Sequence, residues 1–490
     1  MGSNLNKLLK NTSYSLISTF ATRGLQFIRS VIIARYLGPA NLGLYSIITS
    51  LNALTIALAD SGNSFSLIKL IGKYKIDNQK TIGDIISSIL IYALLTTLLT
   101  TFGIILLSGT LSTKVYNEPK LQYYIILSNI FLFIPVSLSI YSSILRSYHK
   151  IKESTISGII ASLSGLFLCY FLIKEYGLLG AILSSIITNF FSLLIVYLFT
   201  KKLFSMEKIK LYFNVKKAII KESLETSVPN ISQTFVDVLS PLIAKSILVI
   251  LLDFENLGYY HVASYFTWIV LSVPLAVATS FYPIINELYS QKSSEYSNFI
   301  MRAQKLTCYS SFSFALILAL MSKLLLTEVY GEEYILATNA AYWTSMSAFA
   351  ASFTTLLGFI FYVQGTGFKL VKIRIFWLLI YVPFSYFLVK DLGILGFGIG
   401  EFVAYIFQSI LMIKMIPENV HFDRRKLTVV LFLSALFIYI IYNLWIFTDR
   451  SFTFSLFIIT GVLLLEYKFL NENERSYLLQ KYIRNKKKFA

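Results

Sequence analysis

Charge is scarce in this 490-residue sequence: Asp, Glu, Lys and Arg make up 14% of it, whereas 56% is hydrophobic. Water-soluble proteins carry about 25% charged residues, so this chain cannot cover its apolar surface in water. Cysteine is scarce too, and both copies, Cys169 and Cys308, fall within long apolar stretches, which argues against a disulfide framework. The hydrophilic stretches between apolar runs are short and leave no room for a water-soluble catalytic domain. These absences predict an integral membrane protein that acts within the bilayer.

Sequence signatures of common enzymes are also missing. The chain has no phosphate-cradling GxxxxGK[ST], no HExxH, no GxSxG and no paired cysteine–histidine metal motif. We therefore expect a protein that is not an enzyme, has no ATPase of its own and needs no cofactor or metal. Energy for any transport would come from coupling to Na⁺ or H⁺, from the membrane potential or from removal of the product.

Apolar stretches long enough to cross a bilayer recur along the whole chain. A spanning helix needs about 20 apolar residues, and the hydropathy pattern predicts an all-α polytopic membrane protein with about fourteen such spans. They lie near residues 11–34, 42–67, 83–108, 121–145, 154–173, 177–200, 218–250, 257–283, 299–326, 334–363, 370–389, 393–416, 427–447 and 452–470, and are numbered 1–14 in that order. The first is not a cleavable signal peptide, because it is too long and contains Arg23 and Arg29.

Basic residues concentrate on one side of this topology. If span 1 begins in the cytoplasm, Arg23, Arg29 and Lys245 are the basic residues inside spans, and most of the remaining 40 of the 43 lysines and arginines are cytoplasmic. The exceptions, in outer loops, are Arg35, Lys114, Lys120, Lys174, Lys323, Lys390 and Arg450. The positive-inside rule then predicts that both termini are cytoplasmic. Topology and contact with anionic lipid account for the net charge of +18 without nucleic acid.

Three short matches at a nearly constant offset indicate an internal repeat. "NLGLY" (41–45) aligns with "NLGYY" (256–260), "LSTKVY" (111–116) with "LLTEVY" (325–330), and "GLLG" (177–180) with "GILG" (393–396). Each pair occupies corresponding places in the topology. The repeat predicts two six-helix lobes, spans 1–6 and 7–12, in the same orientation about a pseudo-twofold axis, with a cleft between them.

Spans 13 and 14 have no partner in the repeat. The predicted domain limits are 1–200 for the first lobe, 201–217 for a basic cytoplasmic linker, 218–417 for the second lobe, and 418–490 for the last two helices with a basic cytoplasmic tail.

Charged side chains inside the spans predict what lines the cleft. A charge near the bilayer centre costs at least about 2.5–3.5 kcal/mol. Span 1 carries Arg23, Gln26 and Arg29 on one side of its helix, and Lys245 in span 7 is the repeat equivalent of Arg29. Such cations suit an anionic group such as phosphate. The alternative interpretation is that the arginines pair with carboxylates and only lock helices together.

The acidic residues inside the spans are candidates for that pairing or for ion coupling. They are Asp60, Asp237 and Glu401. Asn230 and Gln233 share a helix face with Asp237 and are further candidates for cavity lining. His261, near the outer start of span 8, is expected to lie at the membrane interface rather than to relay protons.

The segments "TRGLQFIRS" (22–30) and "ARYLGPANLGLYS" (34–46) resemble the signature of polysaccharide repeat-unit flippases of the Wzx type. These belong to the multidrug/oligosaccharidyl-lipid/polysaccharide exporter (MOP) superfamily, and the resemblance extends over essentially the whole chain. It implies two helical bundles that expose a cationic cavity alternately to each side. Arg23 and Arg29 would then contact a pyrophosphate or sugar acids, with Lys245 opposite. Related peptidoglycan-precursor flippases carry a basic residue in mid-span 2, where this chain has Asn52.

The resemblance also implies a substrate and a location. The substrate would be an oligosaccharide repeat unit on undecaprenyl pyrophosphate, moved to the outer leaflet of a bacterial cytoplasmic (inner) membrane for surface polysaccharide such as the O-antigen of lipopolysaccharide. Partners would be membrane lipids, a polysaccharide polymerase and a chain-length regulator.

Two alternatives stay open. A cation-coupled multidrug exporter of the same superfamily would be expected to carry a buried acid in span 1. A membrane-embedded polysaccharide polymerase would need a long catalytic outer loop.

Overall fold

The computed structural model describes residues 2–74, 79–148, 150–212, 215–292, 295–416, 424–448 and 450–469, with side chains from Thr22 onward except in a few short stretches. The predicted basic tail lies largely outside these residues. Regular structure in the described part is helical throughout.

We number the helices α1–α14. The helix Gly2–Asp60 contains α1 (2–37) and α2 (39–60), and α2 continues as Asn63–Tyr74 after a break. Ile151–Met206 contains α5 (151–176) and α6 (178–206). The others are α3 Gln79–Thr110, α4 Lys120–Ile130 with Phe133–Ser147, α7 Lys217–Leu251, α8 Phe254–Ser290, α9 Tyr296–Leu320, α10 Thr338–Val363, α11 Gly367–Leu392, α12 Ile394–Met415, α13 Arg424–Phe447 and α14 Phe452–Phe469.

Most of these helices are long and apolar enough to cross a membrane. Within the described residues, nine helical stretches have the length and the composition of a membrane span, or ten if the bent pair Tyr296–Leu320 and Ser322–Tyr330 counts as one span. Two shorter apolar helices belong to α13 and α14. The stretch Thr22–Tyr74 holds both α1 and α2, and Lys152–Met206 holds both α5 and α6. The predicted polytopic all-α class is confirmed.

Glycines divide the two longest stretches. A straight helix of the 53 residues of Thr22–Tyr74 would be about 80 Å long at 1.5 Å per residue, far beyond a hydrocarbon core of about 30 Å. The chain instead turns at Gly38 and Gly177, whose φ values of 67° and 52° are left-handed and suit glycine because it lacks a Cβ. Gly393 takes the same conformation between α11 and α12, with φ 60°. We call the side of the bundle with these three glycines the glycine side, and the opposite side the linker side.

The lobes α1–α6 and α7–α12 repeat one another in backbone detail. The hairpins at Gly177 and Gly393 both bring a helix against the preceding one, and a π-helix occupies Leu111–Val115 in the first lobe and Leu326–Tyr330 in the second. These π-helices coincide with the predicted match of "LSTKVY" and "LLTEVY". The predicted repeat is therefore a repeat of structure.

Reciprocal backbone contacts indicate a pseudo-twofold axis between the lobes. Gly43 of α2 packs so closely on the carbonyl of Phe254 that a Cβ would lie 1.8 Å from its oxygen. Gly258 of α8, the repeat equivalent of Gly43, packs on the carbonyl of Pro39 in the same way, at 1.9 Å. Each lobe therefore presents the same surface to the other, as a twofold interface requires.

Hydrogen bonds follow the same reciprocity. Ser30 Oγ lies 3.4 Å from the hydroxyl of Tyr330, and its equivalent Ser246 Oγ lies 2.8 Å from the hydroxyl of Tyr116. Each pair joins one lobe to the other near the glycine side. On this side, the lobes are in close contact.

His261 lies on this axis rather than at the membrane interface. Its Nδ1 is 2.9 Å from the Oγ of Ser46, which is its own repeat equivalent, 215 residues earlier. Its Nε2 is 3.3 Å from the hydroxyl of Tyr265, and the residue is only 8% exposed. The expectation of an interfacial histidine was wrong because the equivalent ends of α2 and α8 pack on each other instead of facing lipid.

Two predicted spans end differently from the hydropathy pattern. Span 2 is broken at Ser61 and Gly62, whose φ values of 44° and 71° are incompatible with a right-handed helix. The predicted end of span 9 belongs to a separate segment, because α9 ends at Leu320 and the chain bends by 63° into Ser322–Tyr330. A hydropathy average over a whole span does not detect such breaks, although the polar run "DSGNS" (60–64) marks the first of them.

The described part of the linker between the lobes is bound to the start of α3. The backbone N–H groups of Tyr212 and Lys216 donate to the hydroxyls of Ser87 and Ser88, at 3.0 and 3.1 Å. Lys216 Nζ also lies 2.5 Å from Asp84 Oδ2. The first lobe therefore holds the start of α7.

The same end of α7 also contacts the last part of α2. Ser66 and Ser223 join their hydroxyls at 2.6 Å, and Ser227 donates to the carbonyl of Gly62 at 3.0 Å. Together with the linker, these contacts close the edge of the cleft between α2 and α7 on the linker side.

Candidate functional site in the interlobe cleft

A polar cavity of about 300 Å³ lies among α8, α10, α11 and α12 of the second lobe, with Arg23 of α1 at its edge. We call it the arginine pocket. Its polar lining includes Arg23, Gln233, Tyr362, Arg374 and Gln408. Tyr362 donates its hydroxyl to Gln233 Oε1. The Gln408 amide oxygen is buried and has no partner among the described residues, which leaves it available to a ligand hydroxyl or amide.

The arginine pocket is positively charged on balance. Arg374 Nε lies 3.2 Å from Asp237 Oδ1, and its guanidinium lies 5.9 Å from the centre of the Trp377 ring. Arg23 forms no ion pair with any described side chain. Two guanidinium groups line the pocket and one carboxylate pairs with one of them, so the pocket has a net positive charge before a ligand enters.

A second cavity, of about 670 Å³, lies between α1 and α8. We call it the lateral cavity. It shares Arg23 and Trp268 with the arginine pocket, and Phe27, Ile269 and Phe314 contribute apolar walls. Gln26 also lines it. A polar, cationic pocket therefore adjoins a largely apolar space at the edge of the cleft, and Arg23 stands where the two meet.

Arg29 is bound to hydroxyls. Its Nη2 donates to Ser184 Oγ at 3.0 Å and to Ser185 Oγ at 2.7 Å, while its buried Nε has no partner among the described residues. Tyr45 and Tyr265 are close neighbours of the guanidinium. The positive charge is thus solvated by neutral oxygens and keeps its attraction for an anion.

Lys245 is bound in a similar way. Its Nζ donates to Ser50 Oγ at 2.9 Å, one turn beyond Ser46 on the axis. Neither Lys245 nor Arg29 forms an ion pair with a described carboxylate. The interpretation that the span-1 arginines lock helices through Asp60, Asp237 or Glu401 therefore finds no such pair in the described part of the chain.

The three predicted acidic residues lie in different places. Asp237 pairs with Arg374 beside the arginine pocket. Asp60 accepts a hydrogen bond of 2.6 Å from Ser64 at the linker side. Glu401 is 8% exposed between α8 and α12, and its Oε2 accepts a 3.4 Å hydrogen bond from Tyr260. Asn230, one turn before Gln233, does not line the arginine pocket.

Sequence reasoning missed Arg374. Arg374 lies only four residues inside the predicted span 370–389 and was taken as one of the cytoplasmic loop charges. The helix begins at Gly367, which places Arg374 two turns inside it, with its guanidinium against Asp237. The sequence did contain a signal for this position. The turn sequence "GTG" (365–367) marks the start of the helix, and Arg374 follows Gly367 by seven residues, or two helical turns.

This arrangement can bind an amphipathic anion. Guanidinium groups bind phosphate oxygens through paired hydrogen bonds, the amides and Tyr362 can bind hydroxyls, and the lateral cavity can accept hydrocarbon. No group of three or more metal-ligating side chains occurs in the described residues.

The sequence of the first lobe identifies the family. A family model described as polysaccharide biosynthesis protein matches residues 8–289, which is more than half of the chain. The chain belongs to this family. The family match covers α1 from residue 8 onward and the whole of α7. It therefore includes Arg23, Arg29, Asp237 and Lys245.

A curated relative matches part of the chain. Stage V sporulation protein B of Bacillus subtilis (strain 168) is 26% identical over 248 residues, which are 47% of this chain and 44% of that protein. The match thus spans less than half of that relative's length.

Solved structures support the same fold. The lipid II flippase MurJ, in an inward closed conformation, has a TM-score of 0.72 at 15% identity over 93% of this chain and 98% of that chain. An inward-facing multidrug resistance MATE family transporter of the MOP superfamily has a TM-score of 0.69 at 16% identity over 80% and 94%. At such identities the likeness is one of fold. The predicted polysaccharide-biosynthesis family is confirmed by the family match, and the fold is that of these two transporters.

Proposed function

We propose that this protein is a flippase that moves undecaprenyl-pyrophosphate-linked oligosaccharide repeat units from the cytoplasmic to the outer leaflet by alternating access. The product would serve the synthesis of a surface polysaccharide such as O-antigen. The observation that carries the proposal is the position of Arg23, at the junction of a cationic pocket and an apolar lateral cavity. A lipid-linked pyrophosphate needs both environments next to each other.

The physical chemistry of the substrate explains why a cleft open to lipid is needed. Moving an unpaired hydroxyl into hydrocarbon costs about 4–8 kcal/mol, so a sugar unit does not cross alone. The prenyl chain, in contrast, never has to leave the bilayer. A cleft with polar walls and a gap between α1 and α8 can shield the head while the chain stays in lipid.

The arginine pocket supports an anionic head group. Arg23 and Arg374 line it directly, and Arg29 and Lys245 add two cations nearer the axis that have no carboxylate partner among the described residues. If the linker side is cytoplasmic, as the basic loops predict, a potential negative inside drives an anionic head outward by about 2.3 kcal/mol per charge per 100 mV.

Location, partners and coupling are parts of the same proposal. We place the protein in a bacterial cytoplasmic (inner) membrane with both termini in the cytoplasm, among lipids and next to a polymerase and a chain-length regulator that consume its product. Of the three predicted acids, Glu401 is the best candidate for H⁺ coupling, because it is buried in the second lobe with a tyrosine rather than a cation as its partner.

A multidrug exporter of the same fold is the second candidate, supported by the likeness to a MATE family transporter. Its substrates would be cations in the usual case, and the balance of two arginines against one carboxylate in the arginine pocket disfavours them.

The test is transport by purified protein in liposomes. Undecaprenyl pyrophosphate bearing a fluorescent saccharide would be flipped by the wild type, and a reagent added outside would modify the exposed head groups. We expect Arg23→Ala with Arg29→Ala to abolish flipping while the protein still inserts, and Arg29→Lys to retain part of it because the charge is kept without the guanidinium fork. Normal flipping by the double alanine variant would refute the cationic-cleft mechanism. Efflux of cationic dyes without flipping would favour the second candidate.

A further inference from the structure

The first lobe contains a polar pocket at the position that corresponds to the arginine pocket of the second lobe. It has a volume of about 190 Å³ and lies among α2, α4 and α6, the repeat equivalents of α8, α10 and α12. Ala53 and Ile56 line it, and their equivalents at an offset of 215, Trp268 and Leu271, line the arginine pocket. The two pockets are therefore copies of one cavity, one in each lobe.

The chemistry of the two copies has diverged. The lining of the arginine pocket includes two arginines, whereas the first-lobe pocket is lined by no charged residue. Its polar lining consists of hydroxyls and amides from Tyr45, Thr49, Asn52, Ser128, Ser185 and Asn189. We call it the amide pocket. A pocket without charge gains nothing from binding a phosphate.

The amide pocket presents hydrogen-bonding groups that the protein itself does not use. Asn129 donates its Nδ2 to Asn52 Oδ1 at 3.1 Å, which fixes the Asn52 amide and leaves its Nδ2 without a partner in the described part of the chain. The Tyr45 hydroxyl and the Asn189 amide likewise have no hydrogen bond to any described residue. Unpaired amides and hydroxyls in a membrane protein are costly, so their clustering around one cavity points to a ligand that pairs with them.

Hydroxyl acceptors complete the set. Thr49 and Ser128 line the cavity and donate their own protons to carbonyls of their helices, so their oxygens are left to accept, and Ser128 Oγ already accepts one hydrogen bond of 3.4 Å from Asn129. Ser185 also donates to its helix and accepts from Arg29 at 2.7 Å. A ligand rich in both donors and acceptors, and without charge, fits this lining.

We propose that the amide pocket is the subsite for a neutral sugar of the substrate's head group, while the arginine pocket and the cationic side chains of the cleft hold the pyrophosphate of the same substrate. This proposal rests on the flippase function proposed above. Arg29 connects the two functions, because its guanidinium bonds Ser185 on the wall of the amide pocket while its charge faces the cleft. The two lobes thus divide recognition of one substrate between sugar and phosphate.

The experiment compares two lipids that differ only in the sugar. Binding of undecaprenyl pyrophosphate, and of undecaprenyl pyrophosphate bearing one N-acetylglucosamine, is measured on the purified full chain in detergent through its tryptophan fluorescence. The variants are Asn52→Leu and Asn189→Leu, which keep the branching of the side chain at Cγ and remove the amide. Asn443→Leu is the matched control, since its amide bonds only the Tyr439 carbonyl on α13.

We expect the wild type to bind the glycosylated lipid more tightly than the bare one. Each of the two pocket variants should lose about tenfold in affinity for the glycosylated lipid, the scale of one or two hydrogen bonds, and remain within about twofold for the bare lipid. Asn443→Leu should behave as the wild type.

Three results would overturn the amide pocket as a sugar subsite: equal binding of both lipids by the wild type, wild-type behaviour of both pocket variants, or equal weakening of both lipids. In the first two cases, bare-lipid binding that is lost in Arg23→Ala would leave the flippase itself standing. Absence of any binding of either lipid, with no effect of the arginine variants, would refute the flippase and the subsite together.

Discussion

At the scale of single residues, the Asp237–Arg374 pair shows how one contact changes the meaning of a sequence. Asp237 alone, in a polar helix, was a candidate for ion coupling. With Arg374 Nε 3.2 Å from its Oδ1, it instead orients a guanidinium at the wall of the arginine pocket. The pair leaves Arg374 with further N–H groups for a ligand, because a guanidinium has five donors.

Replacing Arg374 separates binding from stability. Arg374→Ala should lower the affinity for undecaprenyl pyrophosphate by roughly 10- to 100-fold, because charged hydrogen bonds contribute about 1.5–3 kcal/mol. It also leaves Asp237 with an unpaired charge and should lower the melting temperature. The double variant Arg374→Ala/Asp237→Asn should recover the melting temperature but not the affinity. Recovery of both would mean that the pair is structural only.

Glu401 gives a prediction about coupling. Glu401→Gln keeps an acceptor for the Tyr260 hydroxyl but cannot bind and release a proton. If Glu401 carries the coupling proton, the variant should still flip lipid down its gradient, and its rate should no longer respond to a pH gradient imposed across the liposome. An unchanged response in the variant would exclude Glu401 as the coupling group. Asp60→Asn, at the linker side, is the comparison.

At the scale of helices, the turns explain how far sequence could predict this molecule. The repeat match around Gly43 and Gly258 predicted equivalent helices, and the structure adds that each of these glycines touches the other lobe. Hydropathy alone did not predict the break in α2 at Ser61, because the apolar segments further out outweigh the polar turn sequence "DSGNS" (60–64) in any average over the span. Likewise Arg374, close to a predicted helix boundary, was assigned to the cytoplasmic loop, because its position near the end of span 11 does not reveal its contact with Asp237.

The close approach of α2 and α8 gives a symmetric prediction. An alanine at Gly43 or at Gly258 would place its Cβ 1.8 or 1.9 Å from a backbone oxygen of the other lobe, so the lobes must separate on the glycine side. We expect either variant to increase the labelling of Ser46→Cys by a membrane-impermeant maleimide several-fold, in a background without Cys169 and Cys308.

Gly72→Ala is the control for that experiment. Nothing lies within 4 Å of the position where its Cβ would be built, so labelling should not change. An increase for Gly43→Ala without one for Gly258→Ala would contradict the twofold character of the contact.

At the scale of the whole molecule, the lobes meet on the glycine side in this conformation. On the axis, Ser46 Oγ lies 2.9 Å from His261 Nδ1. Arg35 of α1 donates hydrogen bonds across the interface to the carbonyls of Glu328 and Val329, at 2.5 and 2.7 Å. Alternating access requires these contacts to break during each cycle. The sequence could predict two lobes and a cleft, but not which side is closed, because both conformations are encoded by the same residues.

A cross-link on the axis tests this cycle. Ser46→Cys/His261→Cys, in the cysteine-free background, should form a disulfide under mild oxidation, stop flipping, and regain it on reduction. Each single cysteine variant should be indifferent to oxidation. Full activity of the oxidised double variant, with the disulfide verified by mass spectrometry, would show that transport does not need this contact to open.

The linker has a mechanical consequence for the whole molecule. Lys216 forms an ion pair with Asp84, and the start of α7 is hydrogen-bonded to the end of α2, so this edge of the cleft acts as a hinge. The cleft then opens at the opposite edge, between α1 and α8. A long prenyl tail can extend through that opening into the lipid during the whole cycle, and it never has to pass the hinge. The length of the tail then does not limit transport, and the width of the sugar alone determines how far the lobes must separate.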